Sequence, residues 1–179
     1  MRIVVVYESV FGNTHRIAAA IEHGARRGAS TRLVFVGERA TKDIADADVV
    51  VLGGPTHAFS MSTPASRSQA VAWTLDPKQH MSLDAGEPVG GVREWLDAQV
   101  IFPPRFAAFD TRASTMRHLP GSAARAIDRR LRARGVDRVC APMDFYVSPD
   151  NELLPGEEER ARIWGEQLST SSIPSASTP

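Results

Sequence analysis

Short runs of apolar, β-branched residues recur along the chain, separated by longer segments in which apolar residues appear every three or four positions. Two of these runs, Ile3–Tyr7 and Asp48–Leu52, are almost continuously apolar rather than alternating. Continuous apolarity is typical of strands that are buried on both faces, as in a parallel sheet. The predicted strands are Ile3–Tyr7, Arg32–Val36, Asp48–Leu52, Arg105–Phe109 and one strand within Asp137–Val147.

The intervening segments predict helices. In the first of them, Ile17, Ala20, Ile21 and Gly24 recur at helical spacing, and Gly28 stands where a residue just past the helix C-terminus belongs. Strands that alternate with helices favour βαβ units, and therefore a parallel sheet with helices on both faces. The predicted helices are Thr14–Arg27, Pro64–Thr74, Val92–Gln99, Gly121–Arg134 and Glu157–Leu168.

A proline in the last strand region indicates the order of the strands. Pro142 lies within Asp137–Val147, and a proline inside a strand belongs at a sheet edge. In the order 2-1-3-4-5 the fifth strand is an edge, and the two most apolar strands lie side by side at the centre. The prediction is an α/β fold, a doubly wound five-stranded parallel sheet of this order, formed by residues 1–168. Residues 169–179 are almost wholly Ser, Thr, Pro and Ala and are predicted to be disordered.

Composition and charge exclude several classes of function. The chain has 179 residues with 21 Lys and Arg against 21 Asp and Glu, and zero net charge gives no reason to expect nucleic acid or an anionic membrane as a partner. Its single cysteine, Cys140, cannot form an internal disulfide, and no Cys/His cluster has zinc spacing, so no metal is expected. The apolar run at the start is too short for a signal peptide or a membrane span, and a cytoplasmic location is expected.

The loop after the first predicted strand carries the clearest functional signal. It runs Glu8-Ser9-Val10-Phe11-Gly12-Asn13-Thr14 and opens a helix. In the predicted order it lies where the strand order reverses, which is where open α/β sheets bind their ligands. Backbone N–H groups at a helix N-terminus, a glycine that permits close approach and short polar side chains suit a phosphate. The loop lacks both the lysine of nucleoside-triphosphate loops and the Gly-x-Gly-x-x-Gly pattern of dinucleotide-binding turns.

This loop is similar to the phosphate loop of the flavodoxin family, whose pattern is Ser/Thr-x-Thr-Gly-x-Thr. Ser9, Gly12 and Thr14 match that pattern, whereas Phe11 stands in place of a threonine. The resemblance extends over all five predicted strands, about residues 1–168, and implies a flavodoxin-like domain with FMN as its cofactor. It implies that the phosphate is bound at Ser9–Thr14, and that the cofactor is bound by Glu8, Ser9, Val10, Phe11, Gly12, Asn13 and Thr14.

In flavodoxin-like proteins the loops after the third and fourth strands enclose the flavin ring. The first of these is Gly53–Ser62 here, and its segment Pro55-Thr56-x-x-Phe59 is similar to the corresponding loop of flavodoxin-like quinone reductases. The second, Phe109–Arg112, has neither the tyrosine nor the tryptophan that flavodoxins stack on the ring. Phe59 or His57 could stack instead, or one ring face lies open to a substrate or partner. The resemblance implies ring contacts from Pro55, Thr56, His57, Ala58, Phe59, Asp110, Thr111 and Arg112.

Individual residues in and near these loops have two interpretations each. His57 is a weak candidate for a catalytic group, as a proton donor or a hydrogen-bond partner of flavin, against an ordinary solvated histidine. Arg112 is a candidate to balance the negative charge of a reduced flavin, or else a surface arginine. Asp110 could cap the following segment rather than touch the ligand. The arginines on Gly121–Arg134 are interpreted as a solvated face, and Trp73 as core or as part of a lid.

The resemblance leaves two functions open, and a third class stands beside them. A flavodoxin proper transfers electrons to a redox partner protein, but such shuttles tend to be strongly acidic and this chain is neutral. An NAD(P)H-dependent reductase of a quinone or another small-molecule acceptor, with a possible homo-oligomer, is the alternative. The third class is a flavin-free binding or regulatory module. A response-regulator receiver needs a phosphoacceptor aspartate at the end of the third strand, and it is excluded because Gly53-Gly54-Pro55 stands there. A hydrolase of the Gly-x-Ser-x-Gly type is excluded because no such run occurs.

Overall fold

The strands form one sheet in the computed structural model, which describes residues 1–38, 41–75, 81–84 and 90–170. Its hydrogen-bonded order is β2-β1-β3-β5-β6, with β7 also paired to β5 and the two-residue β4 antiparallel to β3; the other pairings are parallel. Since β5 is the fourth predicted strand and β6 with β7 make up the fifth, the predicted order is confirmed. The strands are β1 (Arg2–Tyr7), β2 (Ser30–Phe35), β3 (Val49–His57), β4 (Ser60–Met61), β5 (Arg105–Ala113), β6 (Asp137–Arg138) and β7 (Met143–Val147).

Helices cover both faces of the sheet because neighbouring residues of each buried strand point to opposite sides. Val4 and Val6 of β1 pack in one cluster with Ile127 of the fifth helix, whereas Ile3 and Val5 pack in the other with Ile21 of the first helix. Both clusters are almost fully buried, as the continuous apolarity predicts. The helices are α1 (Asn13–Ala25), α2 (Thr41–Ala45), α3 (Pro64–Thr74), α4 (Val92–Ala98), α5 (Ala123–Arg132) and α6 (Glu157–Thr170), with a short 3₁₀ turn at Ser114–Met116.

The edge position of the last strand is confirmed. Pro142 lies in the break between β6 and β7, and both of these short strands pair with β5 and, among the described residues, with no other strand. A residue without an N–H group therefore interrupts no central ladder.

Two strands run further than their apolar cores. β3 continues through His57 and β5 through Ala113, because Gly53–Pro55 pair in register with Phe109–Thr111. The segments expected to be loops after these strands therefore begin as paired strand. This is a correction to the sequence analysis, and it gives the side chains of Asp110 and Arg112 fixed directions.

Close approach, rather than a left-handed turn, explains the glycines at the contact of α1 with α6. A Cβ on Gly24 would lie 1.9 Å from the carbonyl oxygen of Arg162, and one on Gly165 would lie 2.0 Å from that of Ile21. Helix α1 ends at Ala25, and Gly28 is not in the left-handed region. The prediction that Gly28 is the residue just past the helix C-terminus is therefore wrong. Gly28 instead permits close approach of α6, since a Cβ placed there would lie 2.8 Å from the Ser169 hydroxyl.

The end of the chain and the arginine-bearing helix follow the predictions in outline. Helix α6 runs two residues beyond its predicted end, to Thr170, and residues 171–179 of the predicted tail lie outside the described residues. Ala124, Ile127 and Leu131 of α5 are buried as predicted, and its arginines at positions 125, 129 and 132 are exposed. None of the described helices is both long enough and apolar enough to cross a membrane.

Candidate functional site

A cavity of about 460 Å³ opens at the carboxyl ends of β1, β3, β5 and β7. It lies at the point where the strand order reverses between β1 and β3, as expected for the ligand site of an open α/β sheet. Its volume is within the range of cofactor and small-ligand sites. Ten of the predicted site residues line it: Val10, Phe11, Asn13, Thr14, Pro55, Thr56, His57, Ala58, Thr111 and Arg112.

The loop before α1 closes on itself and leaves the helix N-terminus open. Gly12, whose φ of 91° lies in the left-handed region, donates its N–H to Ser9 Oγ (3.1 Å). No side chain caps α1, and the N–H groups of its first turn have no acceptor within the helix. These donors and the positive end of the helix dipole are therefore available to an anion.

Two polar contacts hold the loop against the end of the sheet. Thr14 Oγ1 lies 2.7 Å from Thr111 Oγ1 on β5, in a buried hydrogen bond. Asn13 Nδ2 donates to the backbone oxygen of Asn151 (2.7 Å) and to its side-chain oxygen (3.1 Å), in the segment after β7. The N-terminus of α1 is thus positioned by strands that are distant in the sequence.

An acidic residue lies beside this loop. The backbone N–H of Asp84 donates to the Val10 oxygen (2.9 Å), and its carboxylate would be 3.5 Å from a Cβ placed on Gly12. The same carboxylate is 3.1 Å from Nδ1 of His15, whose ring stacks on Tyr7 with centroids 4.9 Å apart. A negative charge therefore lies near the open helix end, with a histidine as its neighbour.

Glu8, also predicted as a cofactor contact, lies outside the cavity wall. It is 1% exposed, and its Oε1 accepts from Ser62 Oγ (2.5 Å) while its Oε2 accepts from the N–H of Val92 (2.8 Å). Arg67 of α3 donates to Ser62 Oγ (2.7 Å) and pairs with Glu94 of α4 (3.0 Å). Burial raises the pKa of Glu8, and the bonds from Ser62 and Val92 counteract that increase. We call Glu8, Ser62, Arg67 and Glu94 the Glu8 cluster; it joins α3 and α4 to the end of β1.

Asp110 likewise lies outside the cavity wall. It is fully buried in β5, and its Oδ2 accepts from the N–H of Ala124 (2.9 Å) in the first turn of α5. This contact matches the capping alternative considered for it. Burial, together with the carboxylate of Asp144, raises the pKa of Asp110 to about 6.

Arg112 is two residues further along β5, and it lines the cavity. It is 2% exposed, so the interpretation as a surface arginine is wrong. Its Nη2 donates to the backbone oxygens of Met116 (2.5 Å) and Leu119 (3.3 Å). Asp144 approaches its Nη1 only to 3.7 Å, and within the described chain Nε and Nη1 have no hydrogen-bond partner. We call Asp110, Arg112 and Asp144 the Arg112 cluster.

His57 lies in the cavity wall at the end of β3. Its Nδ1 is 2.9 Å from Ser66 Oγ, and the Ser66 hydroxyl donates in turn to the Thr63 oxygen (3.1 Å). This chain favours the tautomer in which His57 Nδ1 carries the proton and Nε2 is free to accept one. Burial is the main cause that lowers the pKa of His57, and the positive charge of Arg67 lowers it further. The ring is therefore neutral near pH 7.

Ser9, Gly12 and Phe59 are the other predicted residues outside the cavity wall, and Phe59 lies in the tight turn between β3 and β4. Ala58 and Phe59 have φ values of 46° and 66°, which non-glycine residues rarely adopt. Phe59 is 47% exposed and is not among the residues lining the cavity, whereas Ala58 is. Its backbone packs on Gly121, where a Cβ would lie 2.5 Å from the Phe59 oxygen.

No protein-family model matches the sequence, and no curated protein matches it. Solved structures do match. A flavodoxin from the domain Archaea shares 18% identity over 94% of this chain and 96% of its own, with a TM-score of 0.61. Oxidised Flavodoxin 1 from Bacillus cereus shares 16% over 96% and 100%, with a TM-score of 0.62. A WrbA-like flavodoxin from Agrobacterium tumefaciens shares 22% over 94% and 94%, with a TM-score of 0.58.

The chain has a flavodoxin-like fold. At these identities the likeness concerns the fold alone, and it agrees with the observed strand order and with helices on both faces. In the part of the chain that the structure describes, no group of three or more His, Cys, Asp or Glu side chains is arranged to hold a metal ion.

Of one wall of the cavity in this flavodoxin-like fold, sequence reasoning offered only Trp73, as part of a lid; the alternative interpretation of Trp73 as a core residue is wrong. Helix α3 presents Ser66, Gln69 and Trp73 to the cavity, and Trp73 is 42% exposed. The available signal was the position of α3, directly after the predicted ring-binding loop. The segment after β7 was missed as well, although the carboxyl ends of parallel strands converge at one edge of the sheet. The further lining residues are Met81, Ala113, Met116, Val147, Ser148, Pro149 and Asn151.

Proposed function

We propose that the protein binds FMN in this cavity and acts as a flavin-dependent redox protein. The observation that carries the proposal is the continuity of one cavity between two unlike ends. One end is the uncapped N-terminus of α1, suited to a phosphate, and the other is the buried guanidinium of Arg112. Flavin supplies the electron-accepting ring, while the protein supplies binding, orientation and electrostatics.

The residues at the α1 end fit a phosphate. The first turn of α1 provides backbone N–H groups, with Asn13 and Thr14 in the cavity wall, and the left-handed Gly12 directly precedes them without being part of that wall. Phe11 takes the place of one hydroxyl of the flavodoxin pattern, so the grip depends on the backbone donors and the helix dipole. Asp84 opposes the phosphate charge, and His15 offsets Asp84 when it is protonated.

The residues at the other end fit a flat ring with polar edges. Pro55–Ala58 and Thr111–Arg112 line the space from two adjacent strands, and Trp73 faces it from α3. The unpartnered N–H groups of Arg112 suit carbonyl or ring-nitrogen acceptors. In this proposal Glu8 and Asp110 have structural roles, since both lie outside the cavity wall.

Reduction of a small molecule is favoured over shuttling to a partner protein by one feature of the wall. His57 is neutral near pH 7 and half-buried, with Nε2 free to hold or accept a proton beside the cavity. A protein that transfers electrons alone has no need of such a group. The zero net charge agrees, because it provides no field to steer the protein onto a basic partner. The proposed acceptor is a quinone or a similar small molecule, with NAD(P)H as the electron donor.

The visible absorption spectrum of the purified protein tests the cofactor. We expect flavin bands, and release of FMN from the protein on denaturation. A colourless protein that also fails to take up added FMN would contradict the proposal. Steady-state NADPH oxidation with benzoquinone then separates a reductase, which turns over, from a shuttle, which does not.

A glycine pair tests where the phosphate lies. Gly12 and Gly135 both have positive φ, 91° and 78°, but Gly135 lies in the turn after α5, away from the cavity. We expect Gly12→Val to weaken FMN binding at least tenfold and Gly135→Val to leave the dissociation constant unchanged. Equal affinities of the two variants, measured by fluorescence quenching of FMN, would show that the phosphate lies elsewhere.

A further inference from the structure

The charge of the cavity wall resides in one side chain. Among the described residues that line the cavity, Arg112 is the one with a formal charge near pH 7, and no Asp or Glu lines it. The guanidinium is buried, with a side-chain exposure of 0%. The cavity therefore carries a fixed positive charge that solvent screens poorly.

That charge is incompletely balanced within the protein. Its nearest carboxylate, Asp144, is 3.7 Å from Nη1 and is shared with Arg125 at 3.3 Å. Backbone oxygens of Met116 and Leu119 hold Nη2 in place, but Nε and Nη1 have no hydrogen-bond partner in the described structure. Buried charged groups are normally paired and fully hydrogen-bonded. A guanidinium that is fixed in position but short of acceptors is suited to an electron-rich ligand edge.

We propose that Arg112 stabilises the negative charge which flavin acquires on reduction. The inference rests on the proposed function, and it concerns the regulation of that same site. Oxidised flavin is neutral in its ring. Two electrons from a reductant and one proton from water give a reduced ring that bears one negative charge. Arg112 binds this anionic form more tightly than the neutral one, and so it raises the reduction potential of the bound cofactor.

The size of the effect follows from Coulomb's law. At an effective dielectric constant of about 20, two unit charges about 10 Å apart interact strongly enough to change an equilibrium constant by more than tenfold. We therefore expect Arg112→Gln to lower the preference for reduced over oxidised FMN by at least tenfold. For a two-electron couple this corresponds to a potential about 30 mV more negative.

Arg125 provides a matched control. It pairs with the same Asp144 carboxylate but is 43% exposed and does not line the cavity. Arg125→Gln should change the preference for reduced over oxidised FMN by less than threefold. Asp144→Asn removes the shared counter-charge, and we expect it to shift the potential in the positive direction.

The experiment is a reductive titration of each FMN-loaded variant with dithionite against a reference dye, together with the dissociation constant for oxidised FMN. A negative shift for Arg112→Gln alone, with oxidised FMN still bound, supports the inference. Equal potentials for Arg112→Gln and wild type, or equal shifts for both arginine variants, would overturn it while leaving FMN binding intact. If Arg112→Gln fails to fold, Asp144→Asn decides the question, because an unshifted or negative potential contradicts the inference. Failure of the wild-type protein to bind added FMN would instead overturn the proposed function.

Discussion

The Glu8 cluster and the Arg112 cluster are both groups of charged residues at the carboxyl ends of central strands, yet they differ in how closely their charges are paired. In the Glu8 cluster both carboxylate oxygens of Glu8 accept a hydrogen bond. Glu94 Oε2 has no hydrogen-bond partner among the described residues, but it lies 3.0 Å from the guanidinium of Arg67, which also donates to Ser62. In the Arg112 cluster two guanidinium nitrogens and Asp110 Oδ1 have no hydrogen-bond partner within the described residues. The closely paired cluster contacts helices, and the loosely paired one faces the cavity or lies next to it. Closely paired charge here joins helices to the sheet, whereas the loosely paired charge lies at the proposed ligand site.

Removing Glu8 should produce the largest loss of stability. Glu8→Ala leaves the Ser62 hydroxyl and the Val92 N–H without their acceptor and Arg67 with less balancing charge. We expect the free energy of unfolding to fall by about 3 kcal/mol, as for other broken buried charge networks. Urea denaturation measures this loss of unfolding free energy. Glu158→Ala, which removes an exposed ion pair with Arg16, should cost less than about 1 kcal/mol. Similar losses in the two variants would refute the distinction between a buried network and a surface pair.

Asp110 gives the Arg112 cluster a pH dependence with a defined sign. Its pKa is raised from 3.8 to about 6 in the folded state, so its contribution to stability is present below pH 3.8 and is lost as the pH rises through 6. Asp110→Asn removes the ionisation, while its amide oxygen can still accept from Ala124. We expect the variant to gain about 2 kcal/mol relative to wild type between pH 4 and pH 7.

Thermal unfolding across that pH range measures the Asp110 effect. Asp137→Asn, a change of an exposed aspartate on β6, serves as the control. A stability difference between Asp110→Asn and wild type that stays constant with pH would show that Asp110 does not titrate in this window.

The two clusters should also differ in how much stability is lost when one charged member is replaced in the FMN-free protein. Arg112→Gln takes away a charge that is only partly balanced, and Asp144 keeps Arg125 and Ser122 as partners. We expect Arg112→Gln to lower the free energy of unfolding of the FMN-free protein by less than half as much as Glu8→Ala does. A loss as large as that of Glu8→Ala in urea denaturation would mean that Arg112 serves mainly to hold the fold, as the Glu8 cluster does.

The smallest effect is expected at Asp84, the acidic residue beside the loop that precedes α1. Asp84→Asn removes a negative charge from beside the proposed phosphate site and keeps the backbone bond to Val10. We expect FMN to bind about threefold to tenfold more tightly, with the gain shrinking at high salt. Asp97→Asn, in an exposed pair with Arg130, is the control. Unchanged FMN affinity in a fluorescence titration would place the phosphate away from Asp84.

Local signals in the sequence were sufficient for most of the elements, although α2 and β4 were not predicted. The bounds of α3 agree residue for residue with the prediction, because Thr63 caps it, Pro64 opens it and Ser66 completes the capping box. The buried strands β1 and β3 and the edge position near Pro142 follow equally from short-range patterns. The loop Ser9–Thr14 was placed at the cavity for the same reason, since its glycine and the helix that it opens are contiguous in the chain.

Directions of side chains were decided by the tertiary structure. Glu8 and Arg112 both follow apolar strand residues, and nothing in the sequence says that one faces helices and the other a cavity. The continuation of β5 through Ala113 required pairing with β3 and β7, which are distant in the sequence. The wall formed by Trp73 likewise depends on how α3 packs.

The sequence by itself thus determined most of the elements, their order in the sheet and the loop at the open helix end, because residues close in the chain encode these features. The tertiary structure decided which buried charges are paired and which face the cavity. Pairing depends on contacts between distant segments, and only the folded chain brings those segments together.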